Sequence, residues 1–446
     1  MMKGIRIAGA VLLMACAFHG ARASGEAALE GTWVGTGAVD ITPPVGVPLA
    51  GYGGPPRRMF PDLFNKYKYA TYLKPSTGVH DPIRAKALVI LNRNHAVLFM
   101  SLDLIGVDYP FYREIKAYAH TLGIDDVFIS ATHTHSGPGA LSRSWIFALI
   151  AADRFVRPVY EKVLAGTKQA VDVAVQNLER AHLVKSKFQV EKVQRNRRHR
   201  DGHFDPDARM LTALNGKNEV LGGLINFAVH PIAFGEDNLE FSADFAGGIE
   251  RHVKDRLKSK GEFLFMNGAE GDVSTEVDGA AGIEKDGERF AQAAETGLIT
   301  AIPMGEEWST RSNSFYLPKA GLALWACDEK LLGRVFGKKF RLPIGKRALP
   351  TLTEVKEIEF SDGTLMMSWP GEATTDLGFQ LRERARAAGY EDAWNLGLTN
   401  GYMGYFVTPE EFKAGGYEVC VAYHGPKAGM QLLEAHQALL DSNPRH

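Results

Sequence analysis

Five apolar runs in this chain each break off into a loop carrying groups that can bind a metal or move a proton. Residues 126–130 run into Thr132-His133-Thr134-His135-Ser136-Gly137-Pro138-Gly139, and 220–229 empty into His230-Pro231. Residues 262–266 lead to Asn267-Gly268-Ala269-Glu270-Gly271-Asp272-Val273-Ser274, and 364–369 to Pro370-Gly371-Glu372. Residues 395–398 lead to Thr399-Asn400-Gly401-Tyr402-Met403-Gly404-Tyr405. Short apolar runs bounded by Gly and Pro read as buried strands. Open α/β sheets place their chemistry outside strand carboxyl ends, so the repeated pattern points to an α/β fold.

The intervening segments fit that architecture. Residues 85–91 and 96–102 read as paired strands, 109–122 as a helix, and 374–387 and 428–440 as further helices. Strand 96–102, helix 109–122 and strand 126–130 form a strand-helix-strand unit with the His-x-His pair at its exit. The expected fold class is therefore α/β, a mixed central sheet flanked by helices. No internal repeat or low-complexity linker interrupts the chain, so residues 24–446 are expected to form one catalytic domain.

If the strand before His133 reaches that residue, His133 and His135 share a face, because strand side chains alternate. Imidazole is the commonest metal ligand and titrates near neutral pH. One ring can then hold a metal while the other moves protons.

Composition excludes several classes. Of 446 residues, 45% are hydrophobic and 23% charged, with net charge -1. No basic excess or nucleic-acid motif is present, so no nucleic-acid partner is expected. After residue 18 no segment offers about 18 uninterrupted apolar residues, so no transmembrane span is expected. Lys3, Arg6, the apolar stretch 7–18 and Ala21-Arg22-Ala23 read as a cleaved signal peptide, residues 1–23. Secretion or a periplasmic location follows, with lipoprotein anchoring at Cys16 the competing reading. Cys327 and Cys420 remain in the mature chain, where an oxidising compartment permits a bridge that spacing alone leaves open.

Six motifs occur in order between about residues 37 and 426. They are Gly37-Ala38-Val39-Asp40-Ile41-Thr42-Pro43-Pro44, Gly51-Tyr52, the Thr132 to Gly139 segment, Gly271-Asp272-Val273-Ser274, Pro370-Gly371-Glu372-Ala373-Thr374-Thr375, and the stretch 402–418. Together they resemble the neutral/alkaline (non-lysosomal) ceramidase family, zinc-dependent amidases that hydrolyse the N-acyl bond of ceramide. The resemblance implies a catalytic domain without the C-terminal immunoglobulin-like domain of larger members. It implies Zn2+ at the strand C-terminal ends, held by His133, His230, Glu372 and Tyr405, and substrate-side roles for His135, Arg197 and Tyr417. Two His plus a carboxylate is a common hydrolytic zinc set, leaving room for a water whose pKa falls toward about 7. His135 can then serve as proton carrier, with Tyr417 and Arg197 steadying the oxyanion or the substrate's polar groups. Arg198 stands where the family usually has a small residue.

Competing readings attach to several of these positions. Tyr405 can act as an oxyanion donor instead, with Tyr402 its nearest rival as ligand. Ser274 is a candidate nucleophile partnered by His135, although no Gly-x-Ser-x-Gly elbow surrounds it; the favoured role is support of the metal ligands from behind or contact with the substrate. Asp103 and Asp244 read as supporting acids. The run Arg195, Arg197, Arg198, Arg200 reads by itself as a solvated loop. Residues 330–347 hold seven Lys/Arg and no Asp/Glu among apolar residues, which suits peripheral contact with an anionic membrane or a plain solvated connection. The expected activity is zinc-dependent hydrolysis of ceramide or a ceramide-like lipid to a sphingoid base and a free fatty acid. The alternatives are a serine-nucleophile lipid hydrolase using Ser274, an amidase acting on another N-acyl substrate, and a non-catalytic lipid- or sugar-binding protein.

Overall fold

The computed structural model describes residues 30–443, apart from 94, 200, 328–336, 338–340 and 347. The expected signal peptide, Cys16 and most of the basic stretch 330–347 lie outside the described residues. No helix among the described residues is long and apolar enough to cross a membrane.

Two sheets pack face to face. The larger contains β1 (Thr32–Asp40), β2 (Arg84–Asn92), β3 (His95–Leu102), β4 (Asp126–Ala131), β5 (Glu179–Gln189), β6 (Asp207–Asn215), β7 (Val220–Phe227) and β8 (Phe263–Asn267), in the order β8-β7-β6-β5-β1-β2-β3-β4. It is mixed: β3 and β4 pair parallel, as do β7 and β8, while the interior pairs are antiparallel. The smaller sheet runs β9 (Trp308–Tyr316), β10 (Leu352–Phe360), β11 (Thr364–Ser368), β12 (Asp392–Leu396), with β11 and β12 parallel.

Strand alternation decides what each face meets. Leu88, Ile90, Val97 and Phe99 of the larger sheet join Ile358, Phe360, Met366 and Trp394 of the smaller one in a shared core. Their neighbours Val89, Leu91, Leu98 and Met100 turn the other way, onto α1 (Tyr109–Thr121) and α2 (Arg157–Gln176). Further along that face, Ile225, Phe227 and Phe265 pack on α3 (Asp244–Arg256) and α4 (Gly279–Ile299). The outer face of the smaller sheet is closed by α5 (Thr375–Ala387) and α6 (Ala428–Asp441), through Leu377, Leu381, Leu432 and Leu433. The layers are helix, sheet, sheet, helix. The expected mixed sheet flanked by helices is present, but one of its faces meets a second sheet.

Polar groups fasten the sheets at the end where the functional loops emerge. Ser130 and Thr399 hydroxyls lie 2.5 Å apart, and the Ile129 N–H donates to the Asn400 side chain at 2.9 Å. Asn226 donates to the Met266 carbonyl at 2.9 Å and to the Asn395 carbonyl at 2.8 Å, joining β7, β8 and β12. Buried amides with all partners in place define one arrangement, because a slipped register leaves them unsatisfied. Of the two acids read as supporting, Asp103 pairs with buried Lys86 at 3.1 Å and Asp244 accepts the Ala233 N–H at 2.9 Å.

Cys327 and Cys420 are bonded, with Cα atoms 4.8 Å apart across 93 positions of sequence. Closing so long a loop restricts the unfolded chain. The C327S/C420S double variant is expected to lose about 2–4 kcal/mol of unfolding free energy, measurable by denaturant titration against the oxidised parent.

The Glu270 carboxylate is fully buried, with neither oxygen hydrogen-bonded among the described residues, and is fitted against Gly397, where an added Cβ would come within 2.6 Å of Oε2. Burial, with Glu372 nearby, pushes its pKa well above the usual carboxylate range. The unfolded chain therefore releases this proton first as pH rises. Stability is lost from the unfolded pKa upward, until the folded pKa is reached. E270Q is expected to gain on the parent by about 2 °C or more in Tm between pH 5 and pH 8; a pH-independent difference would show that Glu270 ionises without penalty.

Candidate metal centre

The chain leaves β4 at Ala131, two residues short of the first histidine. The strand-face account of the His-x-His pair is thereby corrected. Thr132 N–H donates to the Leu102 carbonyl at 2.8 Å and His133 N–H to the Leu104 carbonyl at 3.0 Å, while His133 takes a φ of 71°. That left-handed conformation is uncommon for a residue with a Cβ and marks a turn held by its surroundings. His133 and His135 thus converge through a turn.

Each of two histidines has one nitrogen committed to the backbone. His133 Nδ1 lies 2.6 Å from the Ile105 carbonyl, and His230 Nδ1 lies 2.9 Å from the Val273 carbonyl. A carbonyl only accepts, so both Nδ1 atoms carry the hydrogen and both Nε2 atoms keep a lone pair. Asn267 links the two turns, accepting from Val229 N–H at 3.0 Å and donating to the Thr132 carbonyl at 3.3 Å.

Glu372 and Tyr405 arrive from the other side of the site. Short strands Glu372–Ala373 and Tyr405–Phe406 pair parallel, with Glu372 opposite Tyr405. Glu372 Oε2 lies 3.2 Å from His133 Nε2 and 3.0 Å from His230 Nε2, and the Tyr405 hydroxyl is 3.0 Å from His230 Nε2. Tyr402, the rival ligand, instead donates its hydroxyl to Glu372 Oε1 at 2.6 Å, fixing the carboxylate plane. All four proposed ligand positions meet in one buried space.

The charges in that space need a cation. Burial, reinforced by Arg197, holds His230 down at about 3, so its Nε2 stays unprotonated near neutral pH. Burial opposes charge on Glu372, but a positive charge at the facing Nε2 atoms, from protons or from an ion, holds it well below the carboxylate range. Lone pairs aimed at a carboxylate oxygen about 3 Å away repel unless positive charge lies between them. The donor set of two imidazole nitrogens, a carboxylate and a phenolic oxygen fits a divalent ion such as zinc. A second compact set, His133, His135 and His230, has its ligating atoms within 4.8 Å of one another. The sets differ in whether His135 belongs to the ion or faces it.

His135 lacks the fixed tautomer of the other two rings. Its Nε2 is 3.4 Å from His133 Nε2, and its buried Nδ1 has no hydrogen-bond partner. Burial, then His133 and His230, keeps its pKa well below 6.5. Its ring packs 4.6 Å from that of Tyr52. Gly51, at φ 99°, makes room: a Cβ there would come within 2.6 Å of the ring.

Arg197 ties the site to its outer wall, donating to the Tyr405 hydroxyl at 2.8 Å, the Gly271 carbonyl at 2.8 Å and Glu418 at 3.0 Å. Arg198 donates to the other Glu418 oxygen at 2.8 Å and to the Gly415 carbonyl at 2.9 Å. The solvated-loop reading is corrected for these two arginines, because a buried carboxylate draws both inward; Arg195 is exposed, and Arg200 lies outside the described residues. Tyr417 stands half exposed, its ring 6.0 Å from that of Tyr405. Ser274 is buried in the short strand Val273–Thr275 opposite Arg195, and among the described residues no hydrogen bond joins it to His135.

The centre sits in a wall between two spaces. An apolar cavity of about 380 Å³ is lined by Leu104, Val107, Phe111, Leu141, Phe147 and Ile150, and reaches His133, Glu372 and Tyr405. A second opening of about 690 Å³, in which charged groups join apolar ones, is lined by Tyr52, Arg197, Arg198, His199, Ile232 and Glu418. His135, Tyr405 and Tyr417 border both.

Comparison with known proteins bears on family and fold. Residues 64–297 match the family described as neutral/alkaline non-lysosomal ceramidase, N-terminal. The neutral ceramidase of Drosophila melanogaster is 27% identical over 269 residues, covering 54% of this chain and 37% of that protein. The neutral ceramidase of Pseudomonas aeruginosa is 21% identical over 446 residues, 80% of this chain and 66% of that protein. The chain thus spans about a third to two thirds of the length of these two relatives. In structure, the Pseudomonas aeruginosa neutral ceramidase superposes with a TM-score of 0.76 at 18% identity, over 94% of this chain and 76% of that one. A ceramidase complexed with C2 superposes at 0.77 and 19% identity, with the same coverage of both chains. With more than half its length inside the family's conserved region, the chain belongs to the neutral/alkaline non-lysosomal ceramidases.

Proposed function

We propose that this chain hydrolyses the N-acyl amide bond of ceramide or a ceramide-like lipid, giving a sphingoid base and a free fatty acid, with Zn2+ as cofactor. The observation that carries the reading is the convergence of two Nε2 lone pairs on Glu372 beside an apolar cavity. In this reading His133, His230, Glu372 and Tyr405 hold the ion. When bound, zinc supplies Lewis-acid activation of water and of the acyl carbonyl.

The protein's own groups do the rest. The apolar cavity receives a hydrocarbon chain, and the amide lies at the wall near His135. Kept neutral by burial, the His135 ring takes a proton from the attacking water and returns it to the departing amine nitrogen. Tyr417 and Arg197, at the second opening, hold the substrate's hydroxyls or the developing oxyanion. The names of the relatives, which are ceramidases, support ceramide as the lipid; the cavity itself selects only for an apolar chain. A serine route through Ser274 lacks comparable support, because that residue borders neither space. The Cys327–Cys420 bridge supports the reading of a secreted or periplasmic protein.

Three measurements test this. Mass spectrometry of products from a panel of N-acyl lipids is expected to show free fatty acid and amine, lost on chelation and restored by zinc. Activity that survives chelation while yielding to serine-directed reagents would replace the zinc reading by the Ser274 one. E372A is expected to reduce bound zinc at least about tenfold by elemental analysis, since a ligand rather than an outer-shell partner is removed. H135A is expected to lower kcat by about 10²- to 10⁴-fold with zinc content unchanged; loss of zinc in H135A would assign that ring to the ion.

A further inference from the structure

Large apolar side chains rarely stand free at a loop tip without a reason. Phe60, Leu63 and Phe64 are 96%, 80% and 93% exposed. They crown a flap, residues 59–72, whose base is closed by hydrogen bonds from Met59 N–H to the Tyr72 carbonyl at 3.0 Å and from Asp62 N–H to the Thr71 carbonyl at 2.9 Å. The buried carboxylate of Asp153 accepts the N–H groups of Tyr72 and Leu73 at 2.9 and 2.8 Å, pinning the return strand. The flap is therefore built, and its apolar tip is held out from the body.

Its root is tied to the wall of the apolar cavity. Arg58, at its root, donates to the Gly53 carbonyl at 2.7 Å and to the Leu149 carbonyl. Gly53, Gly54, Phe147 and Ile150 line the cavity. The segment to which the flap is tied exposes two more apolar groups, Trp145 at 58% and Leu149 at 44%.

Charge names the occupant. Lys66, Lys68, Lys74, Arg143 and Arg154 are exposed on these two segments. The acids between 54 and 75 and between 141 and 158 are Asp62 and Asp153, and both are engaged by backbone N–H groups. Lys66 and Lys68 lie over the rings of Tyr67 and Tyr69, at 5.3 and 5.0 Å, the mixture of aromatic and basic groups found at membrane interfaces. A second copy of the chain meeting this face across a two-fold axis would bring like charges together. A bilayer bearing anionic headgroups would not.

We propose that the flap 59–72, with Trp145 and Leu149, is a membrane-docking surface that seats this side of the apolar cavity on an anionic bilayer. Phe60, Leu63 and Phe64 enter the headgroup–acyl boundary, and the surrounding lysines and arginines meet the headgroups. A lipid can then pass from bilayer to cavity without its chain crossing bulk water. This goes beyond the reading of the site and holds for any lipid substrate.

Vesicle sedimentation without substrate decides the matter. The parent protein is expected to bind phosphatidylcholine vesicles containing phosphatidylglycerol, and F60S/L63S/F64S to bind at least about tenfold more weakly. K66E/K68E is expected to lose on the order of tenfold on the anionic vesicles and little on phosphatidylcholine alone. Circular dichroism melts and turnover of a water-soluble short-chain N-acyl substrate are expected to match the parent in both variants. Equal vesicle binding by parent and triple variant would overturn the proposal. So would a parent that is dimeric in sedimentation velocity, fails to bind vesicles and becomes monomeric in the triple variant. If no N-acyl substrate is turned over, the catalytic reading fails, while the vesicle result still decides this one.

Discussion

Two imidazoles with their Nδ1–H groups given to backbone carbonyls turn both Nε2 atoms onto Glu372, with the Tyr405 hydroxyl also within reach of one of them. That constraint organises the functional end of the molecule. It requires the Ile105 and Val273 carbonyls to stand where they do, and so requires the turns after β3 and β8. It also requires Glu372 to approach from the smaller sheet. The two sheets must end together for the site to exist at all. The Asn226 and Asn400 amides hold them so, each bridging chain segments far apart in sequence.

Surrounding charges tune this arrangement without entering its centre. Tyr402 holds the far oxygen of Glu372, and Arg197 approaches Tyr405 from the side of the second opening. Glu418 gathers both Arg197 and Arg198, so two cations remain buried at the rim without facing each other unpaired. Burial strengthens every one of these interactions, because few mobile dipoles are present to screen them. The same burial makes an unpartnered group expensive, and Glu270 is the case in point.

Much of the fold was legible because strands advertise themselves as apolar runs. The runs at 85–91, 96–102, 126–130 and 364–369 all appear as strands within a residue or two. Sheet order was not legible, since nothing local says that the later strands leave the first sheet to form a second. At the site, His133, Glu372 and Tyr405 stood out as residues in family motifs, and His230 as the end of an apolar run. Their register did not: Glu372 faces Tyr405 through a two-residue parallel pairing that no periodicity announces. The burial of Arg198 depended on Glu418, more than 200 residues away. Phe60 and Phe64 carry no local signal in sequence, and only the closed base of the flap shows that they face outward.

The wall between the apolar cavity and the second opening has a consequence for inhibition. A small molecule that fills only the greasy chamber and one that fills only the mouth beside Arg197 would approach each other at His135, Tyr405 and Tyr417, which border both spaces. Such half-ligands need not exclude each other. Joined by a linker of the right span, they would combine their affinities across the partition, which a single-chambered enzyme could not permit.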